Sequence, residues 1–292
     1  MKKLAIDVSE VIRATEEQVP HLIELMKNVR QNPLRLTEKC EVDYTQLNYL
    51  PRVAAILADT VFGFGKVEWW NNLFTQLSQV PRWANYRIFV DEEDSLLHTL
   101  RDSYLIRQLI TTVEQSGFST DHQLLLAAFL VHDLGEIGQG DVLYKHKDSA
   151  NEGLEYRHFL ETISSLPEDQ KYMLQRAYLL QYVLDKPAKN RERFADYPDA
   201  IKIINHHKRK QKLESYIFKA AERLGYVLYG LYGLLEKGYL PAIIQILRNQ
   251  HDHLVSYIES LPYFEREFYT SQTIDWVEQL LEQFKGQFVE TK

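Results

Sequence analysis

Apolar residues recur every three or four positions along most of this chain and almost nowhere alternate with polar ones, so the pattern predicts helices throughout. Before residue 90 it gives shorter helices at Glu16–Arg30, Tyr44–Asp59 and Val67–Gln79, with Gly63 and Gly65 marking the break between the last two. Asp94 is placed to cap a helix running to about Ser116. Ser119 or Thr120 then caps a second helix, DHQLLLAAFLVHDLGEIG, which Gly138 and Gly140 terminate. A third helix covers about Asn151–Ser164, and Pro167 opens a fourth that reaches about Leu184. After a polar loop at 186–198, a long helix starts at Asp199 or Lys212 and ends near Lys237. Pro241–Ser260 and Ile274–Phe288 read as amphipathic cover without legible chemistry.

Twelve glycines and nine prolines among 292 residues are few breakers for this length, and neither repeats nor low-complexity tracts interrupt the pattern. The expected fold class is therefore all-α. Hydrophobic residues at 45% and charged residues at 26% exclude wholesale disorder. A net charge of −7 argues against a partner held by bulk positive charge, so neither polymeric nucleic acid nor an anionic membrane surface is expected. The longest apolar run, LLLAAFLV at 124–131, is far short of the roughly 20 residues that span a bilayer. The first residues, MKKLAIDVSEVIRATEEQ, lack an apolar core long enough for a secretory signal. The single cysteine, Cys40, excludes an intrachain disulfide and any cysteine-cluster metal site. Together these features lead to the expectation of a cytoplasmic protein. The tryptophans at 69, 70 and 83 are expected mainly to pack between helices.

The candidate chemistry lies where the most apolar helix ends, in the sequence Phe-Leu-Val-His-Asp-Leu-Gly-Glu at 129–136. His132 and Glu136 are four apart and so share a helical face, with Asp133 beside them and Asp141 five residues beyond. Burying such groups together without a partner is costly, which implies a cation or tight pairing. Imidazole with carboxylate is a donor set that Mn, Fe, Co or Zn accepts.

With His98 on the preceding helix, this pattern resembles the HD-domain superfamily of metal-dependent phosphohydrolases, closest to its 5′-deoxyribonucleotidase branch. The shared features are Arg82-Trp83 sixteen residues before His98, the acidic-Ser stretch Glu93-Asp94-Ser95, His132-Asp133-x-x-Glu136, and Gly140-Asp141. The resemblance covers about residues 80–230. It implies an HD-domain helical core at 79–238, an N-terminal helical extension at 1–78, and C-terminal helices packed on the core at 239–292. It implies one divalent transition metal (Mn, Co, Fe, Ni or Zn) held by His98, His132, Asp133 and an acid on a later helix. The best counterpart of that acid is in Lys219-Ala-Ala-Glu222-Arg-Leu224, with Glu where the family pattern has Asp.

By the same resemblance, Glu136 and Asp141 handle protons, while Arg82 and Trp83 bind the substrate. That substrate is a small nucleotide, a nucleoside 5′-monophosphate, cleaved to nucleoside and phosphate, and the chain would pair as a homodimer. Three alternatives stay open: a dinuclear HD phosphodiesterase drawing on His206 or His207, a di-iron oxygenase drawing also on His146 and His158, and a degenerate HD protein acting as a binding or regulatory module. His21, His122, His251 and His253 carry no partner pattern and are expected to be structural or exposed.

Overall fold

A computed structural model describes residues 49–82, 93–142, 147–237, 241–261 and 268–283, with five further positions between 20 and 28. Among the described residues the regular elements are helices, and no strand is present. They are α1 (Leu50–Phe62), α2 (Val67–Leu77), α3 (Ser95–Gln115), α4 (His122–Val131), α5 (Glu136–Gln139), α6 (Ser149–Thr162), α7 (Glu168–Leu179), α8 (Pro187–Arg193), α9 (Pro198–Lys210), α10 (Lys212–Lys237), α11 (Pro241–Ile258) and α12 (Ser271–Gln283), plus one 3₁₀ turn at Leu180–Tyr182. No helix of these is long and apolar enough to cross a membrane. Of the expected helix at Glu16–Arg30 only those five positions are described, all of them helical, while Cys40, Trp83 and His146 lie outside the described residues.

α4 forms the centre because it is apolar all round, and a helix of that kind must be covered on every side. Its residues Leu125, Ala128, Phe129 and Val131 are buried against α3, α7 and α1. α10 lies across α3 and the end of α4, burying Ile217, Ala221, Leu224, Leu228 and Leu231, and α11 packs along it. α1 and α2 join the same apolar core through Phe62, Trp70 and Phe74, whose rings stack. α1 stops where Gly63 adopts φ +69°, a left-handed conformation that lets its N–H reach the Asp59 carbonyl at 2.7 Å.

Three local expectations are corrected and one alternative is decided. The cap of α4 is Asp121, whose carboxylate accepts from the Leu124 N–H at 3.0 Å, rather than Ser119 or Thr120. The α4 helix does not continue to Gly138 but ends at Val131. Residues 132–138 then wind more tightly, through i→i−3 bonds such as Leu134 N–H to the Val131 carbonyl and Glu136 N–H to the Asp133 carbonyl. The polar stretch 186–198 contains α8, opened by Pro187 at its first turn. The long helix starts at the second of its two expected positions, Lys212, and Pro198–Lys210 before it is a separate helix, α9, which ends at its cap Gln211.

Two ties place the rest of the site. A short antiparallel bridge joins Pro81 to Asp94, with Arg82 N–H donating to the Glu93 carbonyl and Ser95 N–H to the Val80 carbonyl, so Arg82 is carried to the start of α3. Gln181, in the 3₁₀ turn, donates to the His132 carbonyl at 3.2 Å, meeting one of the acceptors that the end of α4 leaves unpaired.

Removing the Asp121 side chain should therefore cost about 1 kcal/mol of stability. Urea unfolding of Asp121→Ala beside Ser119→Ala and Thr120→Ala measures this. The first midpoint should fall and the Ser119 variant should stay near wild type.

Candidate metal centre

His98 and Asp102 sit one turn apart on α3, His132 and Asp133 at the end of α4, Glu136 on α5, and Glu222 and Tyr226 one turn apart on α10. The ligating atoms of His98, His132 and Asp133 lie within 4.8 Å of one another and all three residues are buried. His132 Nε2 is 3.2 Å from Asp133 Oδ1, and His98 Nε2 is 3.8 Å from Asp133 Oδ2.

The tautomer of the neutral His132 ring follows from its other nitrogen. Nδ1 lies 2.8 Å from the Phe129 carbonyl, and since a carbonyl can only accept, Nδ1 carries the proton and donates. In the neutral ring Nε2 then presents a lone pair to the Asp133 carboxylate, and two acceptors face each other with nothing between them. A backbone carbonyl receiving the far ring N–H is also the arrangement that orients histidine ligands in metal sites. His98 Nε2 and His132 Nε2 are both buried without a hydrogen-bond partner. Burial, reinforced by the Arg82 and Arg101 charges, pushes the His98 imidazole well below its usual value, toward the neutral form that ligation requires. Two imidazoles and a carboxylate converging in this way fit a divalent transition metal.

The acids around this group are the second feature. Asp102 is 1% exposed and Glu136 2%. Burial, with Glu93, Glu222 and Asp133 adding repulsion, pushes the Asp102 carboxyl well up. Burial and Asp133 do the same to Glu136 against the pull of Arg82. Arg82 sits between the carboxylates. Its Nη1 donates to Asp133 Oδ2 at 2.8 Å and lies 3.7 Å from Glu136 Oε2, while Nη2 donates to the Tyr226 hydroxyl at 2.7 Å. Glu136 also accepts from the Ser95 hydroxyl at 2.7 Å. Three buried carboxyls facing one guanidinium leave two charges to be removed, by protons or by a dication.

The expected ligand Glu222 is not brought into the group. Its carboxylate is 3.0 Å from Lys219 Nζ and 3.8 Å from Arg223 Nη2. Burial alone would push it up, but Lys219 and Arg223 outweigh that and hold it well below the usual carboxylate range. His158 is tied to Glu161, His206 is exposed, and His207 is bonded to Gln211 and to the Arg176 carbonyl, so none of them approaches the centre. His251 is buried against the Tyr269 hydroxyl.

A cavity of about 230 Å³ opens onto Asp133, Glu136, Asp141, Glu222 and Tyr226. Its far wall is α11, through Gln245, Asn249, His253 and Tyr257. This corrects the expectation that the C-terminal helices are mere cover, and places His253 on the cavity wall. The four residues stand at strict four-residue spacing, a row of hydrogen-bonding side chains on one helical face that the sequence displayed. Asp102 was also missed, although a carboxylate on the buried side of α3, one turn after His98, was visible in the same way. Comparison with family models, with curated proteins and with solved structures finds no match to this chain.

Breaking the Arg82 anchor should leave Asp133 buried and unpaired. Arg82→Met is expected to cost about 3–5 kcal/mol of stability and Tyr226→Phe about 1 kcal/mol, both read from denaturant midpoints in chelator.

Proposed function

We propose that the chain is a metal-dependent phosphohydrolase that cleaves a small phosphomonoester, with a nucleoside 5′-monophosphate as the substrate class. The observation that carries this reading is the convergence of His98, His132 and Asp133 on one point beside a polar cavity. A divalent ion held there would supply Lewis-acid polarisation of a water and of a phosphoryl oxygen.

The chain's own residues would do the rest. Glu136, kept protonated by burial, is suited to give its proton to the departing alkoxide. Asp141, on the cavity wall, is suited to take the proton of the attacking water. Arg82 differs from its expected role as a direct phosphate clamp, because its Nη groups engage Asp133 and Tyr226; it fixes the orientation of the metal-ligating carboxylate. Lys219 and Arg223 on the cavity wall supply positive charge toward a phosphate, and the Tyr226 and Tyr257 rings with the α11 row supply surfaces for a base and sugar.

A second reading, a binding module descended from such an enzyme, is favoured by one observation: Lys219 and Arg223 already neutralise Glu222. The dinuclear readings gain nothing from the placement of His206 and His207.

Protein purified without chelator should carry about one divalent metal per chain by elemental analysis, lost in His132→Ala, and the loaded wild type should release phosphate from nucleoside monophosphates. Bound metal without phosphate release from any nucleotide would end the phosphatase reading. No metal in the wild type would turn the assignment to the binding module.

A further inference from the structure

We propose that Lys147 binds the phosphoryl group of the substrate, and that the buried Glu155 is the positioning residue that holds it there. This rests on the phosphomonoester reading above and deepens it, by naming the cation that receives the phosphate.

Glu155 has no part in the metal centre or in proton handling, yet it is 2% exposed. It lies on α6 beneath the turn that carries Glu136. A Cβ on Gly135 would fall 2.4 Å from the Glu155 carbonyl oxygen and 2.8 Å from its Cγ, so the side chain is held against that turn. Burying its carboxylate without a counter-charge would be costly. The counter-charge is Lys147, whose Nζ donates to Oε1 at 3.2 Å and lies 2.9 Å from Oε2.

The backbone of Lys147 is fixed as well. The next residue, Asp148, caps α6 by accepting from the Asn151 N–H at 2.9 Å. The lysine is therefore held at its main chain by the cap and at its tip by Glu155, two turns along the same helix. Ordering a lysine stem costs conformational entropy, and here the fold has met that cost before any ligand arrives.

The ammonium is still open to a ligand. Lys147 lines the cavity with Asp133, Glu136 and Asp141, and its side chain is 26% exposed. Among the described residues Glu155 is the one bonded to Nζ, and an ammonium has three hydrogens to give. Desolvation would lower the lysine, but Glu155 and Glu136 outweigh it and hold the group well above its usual value. It stays charged and moves no proton; its part is a charge-assisted bond to a phosphoryl oxygen.

The placement of the counter-ion sets Lys147 apart from the other cations of the cavity. Lys219 and Arg223 face Glu222, and Lys189 shares Glu152 with Arg193; both of these acids line the cavity and would meet an anion with their own charge. Arg82 spans Asp133 and Tyr226. Glu155 does not line the cavity, so it anchors the ammonium from behind and leaves the positive charge facing the ligand.

The test titrates the full chain, loaded with Mn²⁺, with inorganic phosphate in a calorimeter. The set is wild type, Lys147→Met, Lys147→Arg, Glu155→Gln and the double variant Lys147→Met/Glu155→Gln. Elemental analysis checks that each keeps its metal, and circular dichroism that each is folded. Lys147→Met should weaken phosphate binding by about 10- to 100-fold. Lys147→Arg, which keeps the charge, should lose less. Glu155→Gln should weaken binding several-fold in wild type and change nothing further once Lys147 is Met, since it acts only through that ammonium. A Glu155 that merely supports the fold would lower both alike, and that result overturns its positioning role. Should Lys147→Met fail to fold with Glu155 left unpaired, the double variant, which has no orphaned charge, takes its place. A folded, metal-loaded Lys147→Met that binds phosphate as tightly as wild type overturns the proposal and leaves the phosphomonoester reading standing. Loss of metal from Lys147→Met overturns it too, because the effect would then run through the ion. A wild type that holds no Mn²⁺, or holds it and binds no phosphate, overturns the phosphomonoester reading and this proposal with it.

Discussion

Removing several carboxyl groups from water in one place is the constraint to which the rest of this molecule answers. Asp102, Asp133 and Glu136 are each buried beside two imidazoles, in surroundings where unbalanced charge is very costly. Arg82 accounts for part of the balance and Ser95 for one hydrogen bond. The Nε2 atoms of His98 and His132 still lie against carboxylate oxygens. An arrangement of this kind persists only if the surrounding packing holds it, and it holds only what a cation or added protons make tolerable.

The packing that does so is built from two long helices and one short apolar one. α4 is apolar enough to be driven inside whatever its last turn carries, so the burial of Leu125, Phe129 and Val131 drags His132 and Asp133 with it. α3 meets this end with His98 and Asp102 on its buried face. α10 seals the assembly with a stripe of leucines and alanines, and at Gly225 it approaches closely enough to touch the Asp102 carboxyl. The tight turns of 132–138 depend on similar close approach. A Cβ on Gly135 would collide with the Glu155 carbonyl on α6, so the turn that aims Glu136 inward is matched to the helix beneath it.

Much of this was legible from the residues. The helical class, the cap at Asp94, the start of the fourth central helix at Pro167 and the burial of the 124–131 run follow from periodicity and capping chemistry alone, because those depend on neighbours in sequence. The grouping of His98 with His132 and Asp133 was expected only through the resemblance to the HD-domain ligand pattern, since residue type alone marks the His132-Asp133 end of α4 but not which other histidine meets it. What could not be read was any fact set by distance across the fold. Glu222 stands at the expected place in its helix, but whether its carboxylate faces the imidazoles or Lys219 depends on rotamers fixed by packing. The α11 row was visible as a spacing, yet nothing in the spacing says which face is covered and which lines a cavity. The end of α4 at Val131 rather than Gly138 likewise reflects α6 pressing on Gly135, a contact twenty residues away in sequence.

The hydrogen bond from Arg82 to the Tyr226 hydroxyl joins residues separated by 144 positions, and the same guanidinium reaches Asp133 across 51. The centre is therefore closed only after α10 has been made and has docked. During synthesis, a chain that ends before residue 212 carries His98, Asp102, His132 and Asp133 but lacks the helix that shields them from water. The strongly perturbed site comes into being late, when α10 expels that water. A chain cut short upstream of α10 would lack both the Tyr226 hydroxyl that anchors Arg82 and the Gly225 backbone that closes over Asp102, so the pocket is a product of the whole sequence and of no single segment.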